Sequence, residues 1–77
     1  MQQTASTTAR PAETSFLTPE EQRMLQLLAD GLPLDSVARR MCTSSRTLRR
    51  RIRAVCDRLG VQAPIQAVAW AARRHLI

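Results

Sequence analysis

Helix start and stop signals recur along residues 17–77, and nowhere between them do apolar and polar residues alternate with the period of two that a strand surface needs. That punctuation restricts the chain to an all-α fold. The first start is Thr18-Pro19-Glu20-Glu21. Thr18 can cap, proline suits the first helical position, where an N–H would lack a partner anyway, and Glu21 three residues after Thr18 completes a capping box. This helix is predicted to run to about Asp30 with Met24, Leu25, Leu27 and Leu28 on its buried face. Gly31 then supplies the left-handed residue that ends it, and Leu32 folds back onto the last turn. A second, short helix is expected near Asp35 to Met41. Its start is weakly marked, because Pro33 and Leu34 stand where a capping side chain would help. Cys42 and Thr43 read as a turn and Ser44 as the next cap. The third helix follows from Ser45 to Leu59, closed by Gly60 with Val61 packing back, and the fourth runs from Pro64 to near Arg74.

With 77 residues the chain is one small domain, and eleven of its thirty-four apolar residues are alanine, so the core must be modest in volume. A domain of this size buries only about 60% of the surface that its unfolded chain exposes. Residues 1–16, MQQTASTTARPAETSF, add nothing to that core: they are mostly Thr, Ser, Ala and Gln, and are expected to be a disordered tail or linker ahead of a domain at 17–77. Cys42 and Cys56 lack the CxxC spacing and a secretory leader, so they read as free intracellular thiols. No apolar run reaches the length of a membrane span, and a soluble, cytoplasmic protein is expected.

Charge narrows the partner. All twelve basic residues are arginine, against six acids, for a formal +6. The stretch 44–60 holds six arginines and one aspartate, +5 of that total, whereas 18–35 carries one arginine and four acids, for −3. On a wheel of about one hundred degrees per residue, Leu48, Ile52, Val55 and Leu59 share a narrow sector with Cys56 beside them. Arg46, Arg50 and Arg53 centre on the opposite side, with Arg49 and Arg51 on the flanks. A merely solvated face would mix its signs. Here like charges crowd adjacent turns with no acidic partner one turn away until Asp57, a destabilising arrangement that a polyanion would relieve.

A short helix, a tight turn and a longer basic helix make a helix-turn-helix, in which the second element lies in the major groove of duplex DNA. Ala38 suits this, since a small side chain lets the two helices approach. From Leu17 to Ile77, about four fifths of the chain, the sequence resembles the DNA-binding domain of LuxR-type regulators, also called the GerE-like domain. The resemblance rests on Leu17-Thr18-Pro19-Glu20-Glu21, Leu25 through Gly31, Val37-Ala38 with Met41, and Ser44 with Thr47-Leu48-Arg49. It continues through Arg58-Leu59-Gly60-Val61, Gln66-Ala67-Val68-Ala69 and the closing Leu76-Ile77. It implies a four-helix domain, sequence-specific DNA binding through the third helix and dimerisation through the fourth. Carried over by position, base contacts would fall on Arg49, Arg50 and Arg53, with Thr47 on a phosphate. The chain departs from the family at Arg51, often histidine, at Arg23, usually an acid, and at Thr43, commonly an aliphatic. Pro33-Leu34 replace a capping pair, and His75 replaces a glycine; histidine visits the left-handed region more readily than most residues.

The wheel divides the arginines similarly. Arg50 and Arg53, one turn apart at the centre of the face, can both enter the groove. Arg51 and Thr47 lie on a flank where phosphates approach and, with Arg46, are assigned to phosphates; on the other flank Arg49 can take either role. In the fourth helix Ala67, Val68 and Ala71 turn inward, while Ile65, Ala69 and Ala72 form a nearly opposed stripe that a homodimer would bury. Trp70 lies between the stripes.

Nothing suggests an enzyme. The one histidine has no acid near it in sequence, neither cysteine has a metal-ligand spacing, and there is no glycine-rich phosphate loop, so no catalytic residue, metal or cofactor is expected. The alternative is a protein-interaction adaptor on the same scaffold, binding RNA polymerase, a sigma factor or another regulator. RNA is disfavoured by the lack of stacking aromatics. The family usually places this domain behind a phosphate-receiving or small-molecule-sensing domain. Met1 fits a stand-alone regulator, the other reading being that residues 1–16 are an interdomain linker.

Overall fold

A computed structural model describes residues 16–77. Four helices follow one another, α1 (Pro19–Ala29), α2 (Leu34–Arg40), α3 (Ser45–Leu59) and α4 (Pro64–Arg73), with no strand among the described residues. The predicted tail lies outside this range except for Phe16. That residue packs edge-on against Trp70 of α4, with ring centroids 6.0 Å apart.

Each helix start has its own chemistry. At α1 the capping box forms in both directions: the Glu21 N–H donates to Thr18 Oγ1 at 3.1 Å and the Thr18 N–H donates to Glu21 Oε1 at 2.9 Å. At α3 the Thr47 N–H donates to Ser44 Oγ at 3.1 Å. The weakly marked α2 starts one residue before its predicted place, at Leu34, with Pro33 in the cap position and no side-chain hydrogen bond there. Ala63 precedes α4 and has no acceptor to offer. Gln66 substitutes for it by reaching back, its Oε1 accepting from the N–H groups of Gln62 and Ala63 at 2.8 and 2.9 Å.

The four ends share one device. A residue in the left-handed region follows the helix, and the N–H after it bonds back to a carbonyl five residues earlier. These bonds run from Leu32 to Leu27, Thr43 to Ala38, Val61 to Cys56 and Leu76 to Ala71. Gly31 and Gly60 hold the left-handed position in two cases, while Cys42 (φ 56°) and His75 (φ 58°) hold it in the others. His75 thus adopts the conformation expected of it. Cys42, read only as part of a turn, is the pivot between α2 and α3.

The core is a single cluster. Leu17, the α1 residues Met24, Leu25 and Leu27, Val37 and Ala38 of α2, and Ala67 and Ala71 of α4 close around Leu48, Ile52, Val55 and Cys56 of α3. α1 packs on α4 and α2, and α3 packs on α2 and α4. Leu28 and Leu59, expected in the buried stripes, are only partly covered and pack against the cluster's edge. No polar or charged side chain is buried among the described residues, so the amphipathic pattern of each helix has sorted cleanly. The α2–α3 corner is further tied by a hydrogen bond from Ser45 Oγ to the Asp35 carboxylate, which joins the first turns of the two helices.

Candidate nucleic-acid interface

The apolar stripe of α3 is pinned into the core, so its opposite side must face solvent. Arg46, Arg49, Arg50, Arg51 and Arg53 are all exposed. Among the described residues, the guanidinium groups of Arg46, Arg49, Arg50 and Arg53 have neither a hydrogen bond nor an ion pair. Thr47 is half-buried on the flank, its hydroxyl oxygen accepting from Ser44 Oγ at 3.0 Å. α2 adds two exposed arginines, Arg39 and Arg40, in its last turn, which attention to the third helix alone overlooked. Between the start of α2, α3 and the α3–α4 turn lies an open groove of about 490 Å³. Arg49 and Arg53 edge it, and Leu34, Ile52 and Val61 are among its apolar lining.

Two arginines of α3 differ from the rest because α1 supplies the acids that the local sequence lacks. Arg51 Nη1 lies 3.2 Å from Glu20 Oε2. Arg58 grips Glu21 with both nitrogens, Nη2 to Oε2 at 2.6 Å and Nη1 to Oε1 at 3.2 Å, and Nη1 also donates to the Phe16 carbonyl at 2.9 Å. Partial burial alone would push the Glu21 carboxyl up. The hydrogen bonds from Arg58 and Thr18, with the Arg58 charge, outweigh that and hold it below the usual carboxylate range. The bonds to Glu21 likewise raise the Arg58 guanidinium against the opposing effect of its own desolvation. Arg23, which stands where the resembling family has an acid, donates at 3.4 Å to the carbonyl of Arg40, the last residue of α2. A cation there satisfies one of the carbonyls that a helix end leaves open. These partners lie 17 to 42 residues apart in sequence, beyond any helical spacing, so no sequence signal could have paired them.

On α4 Ile65 is 70% exposed, Ala72 is exposed and Ala69 is half-buried, while Ala67 and Ala71 are fully covered. Trp70 is half-buried, with the Arg74 guanidinium 4.1 Å above its ring. Cys42 is an exposed free thiol and Cys56 a buried one, whose thiol burial pushes up, with a smaller push from the Asp57 charge. Among the described residues no group of His, Cys, Asp and Glu could hold a metal ion, and no helix is long and apolar enough to cross a membrane.

The profile of the family described as bacterial regulatory proteins, luxR family (GerE), matches residues 15–71. Two relatives, from Mycobacterium tuberculosis and Mycobacterium bovis, carry names that call them HTH-type transcriptional regulators. Each is 36% identical over 66 residues, covering 84% of this chain but 8% of its own length. The chain therefore spans less than a tenth of the curated relatives it matches. No solved structure matches it. The family match covers all of α1, α2 and α3 and most of α4, including the whole arginine face, and on that ground the chain belongs to the LuxR family of bacterial regulatory proteins through its GerE domain.

Proposed function

We propose that this chain is a DNA-binding transcriptional regulator that lays α3 in the major groove and works as a homodimer through α4. The observation that carries the reading is the outer face of α3, where four guanidiniums without partners among the described residues are held on a helix whose other side is locked in the core. Repulsion among them is relieved by phosphates, and an α-helix fits the roughly 12 Å width of the major groove. Arg50 and Arg53 read base edges, where a guanidinium pairs with O6 and N7 of guanine. Arg49 joins them from the flank. Arg46, Arg51 and Thr47 position the helix on phosphates. Because the Thr47 hydroxyl oxygen accepts from Ser44, its own hydrogen is left to donate outward to an anion. The protein acts by binding rather than by catalysis, in the cytoplasm.

Binding titrations against a specific and a scrambled duplex at several salt concentrations test this. Arg50→Ala and Arg53→Ala should each lose about 1–3 kcal/mol of discrimination while keeping much of the non-specific binding. Arg51→Ala should weaken both duplexes alike and flatten the salt dependence by about one counterion. Wild-type protein that shows no salt-dependent affinity for either duplex would overturn the reading and favour the protein-interaction adaptor.

A further inference from the structure

α1 and α3 are joined by two ion pairs of unequal character. Glu20 and Glu21 are neighbours in the first turn of α1, and they meet Arg51 and Arg58, two turns apart on one side of α3. The Glu21–Arg58 pair is bidentate, tied to a helix cap and to the Phe16 carbonyl, and the carboxylate side chain is only 22% exposed. The Glu20–Arg51 pair is a single contact at 3.2 Å with side chains 63% and 42% exposed. An exposed monodentate pair adds little to the stability of a fold. Its position is another matter: Arg51 lies on the flank of the arginine face, where the rim of a bound duplex brings phosphates, and the Glu20 carboxylate already occupies its guanidinium.

We infer that Glu20 is an internal phosphate mimic that lowers the affinity of the arginine face for any duplex by holding Arg51. This rests on the DNA-binding reading above. For a phosphate to reach Arg51 the pair must open, or the duplex must accept a carboxylate within a few ångströms of its backbone; either way the cost falls equally on every sequence. Affinity common to all sequences sets how long a regulator dwells on DNA of any kind, so Glu20 lowers overall affinity and leaves the preference among sequences as the base contacts set it.

The test is a fluorescence-anisotropy titration with a scrambled duplex across a salt series, using the whole chain. Glu20→Gln should bind about two- to fivefold more tightly than wild type, the range an exposed pair supports. The gain should vanish in an Arg51→Ala background. Asp30→Asn changes the net charge equally, but it lies about 15 Å away along α1, beyond the Debye length at physiological salt, and should bind as wild type does. If wild type binds and Glu20→Gln is no tighter, or if its gain persists without Arg51 or is matched by Asp30→Asn, the inference is overturned while the DNA reading stands. A large fall in the unfolding temperature of Glu20→Gln would make the pair structural and overturn it equally. Wild type that binds no duplex removes both.

Discussion

Replacing Glu21 with glutamine should cost this domain more than any other single charge change on α1. Its carboxylate accepts from the Thr18 N–H at 2.9 Å and from both terminal nitrogens of Arg58. A glutamine oxygen can keep the two bonds that Oε1 now accepts, from the Thr18 N–H and Arg58 Nη1, but its amide would point a donor at Arg58 Nη2 in place of Oε2. Losing the bond from Arg58 Nη2 to Oε2 removes about 0.5–1.5 kcal/mol. Losing the ion pair removes up to about 1 kcal/mol, discounted because Arg58 remains more than a third exposed. The expected total is about 1–2 kcal/mol, or a fall in Tm of roughly 4–16 °C for a domain this small. The pH dependence has a definite sign. The folded-state pKa of Glu21 is depressed, so its contribution is complete above the ordinary carboxylate value of 4.5 and is lost as pH falls through the lower folded value. Wild type and Glu21→Gln should therefore differ by a constant amount from pH 7 to about pH 5 and converge in stronger acid. Urea unfolding of wild type, Glu21→Gln, Arg58→Met and the double variant at several pH values measures both the gap and the coupling. A gap that persists unchanged into acid, or a coupling energy of zero, would refute the argument.

Three further outcomes follow from other parts of the fold. Cys42→Gly relieves a left-handed side chain worth about 1–2 kcal/mol, less the roughly 0.4–1 kcal/mol by which glycine loosens the unfolded chain. Thermal unfolding should show a small rise in Tm, and a fall would mean that the thiol makes a contribution the geometry does not explain. A thiol reagent should modify Cys42 rapidly, whereas Cys56, 5% exposed and with its thiol pushed up by burial, should react only as fast as the domain opens; equal rates would contradict the buried assignment. Ile65→Glu should leave the fold intact because the side chain is 70% exposed, and should weaken binding to a paired half-site duplex; sedimentation that finds wild type monomeric even on such a duplex would rule out the α4 dimer.

The helical architecture was legible from local chemistry because caps and left-handed closures act over five or six residues. Thr18 with Glu21, Ser44, Gly31 and Gly60 each lie within that reach, and the α3 span came out as predicted. The arginine face was legible for the same reason, since a helical period and one apolar stripe suffice to orient every other side chain of α3. Where the local signal was weak, at Pro33-Leu34, the predicted start of α2 was off by one residue. The left-handed Cys42 was missed because its own side chain does not favour that conformation; the bond from the Thr43 N–H to Ala38 and the packing of α2 on α3 impose it. The division of the α3 arginines into four without partners among the described residues and two held by α1 arose only in three dimensions. Sequence alone determined how much charge α3 carries and which way it faces. The tertiary fold decided which of those charges are already answered, because Glu20 and Glu21 reach Arg51 and Arg58 only once the core has docked α1 beside α3, 31 and 37 residues away along the chain.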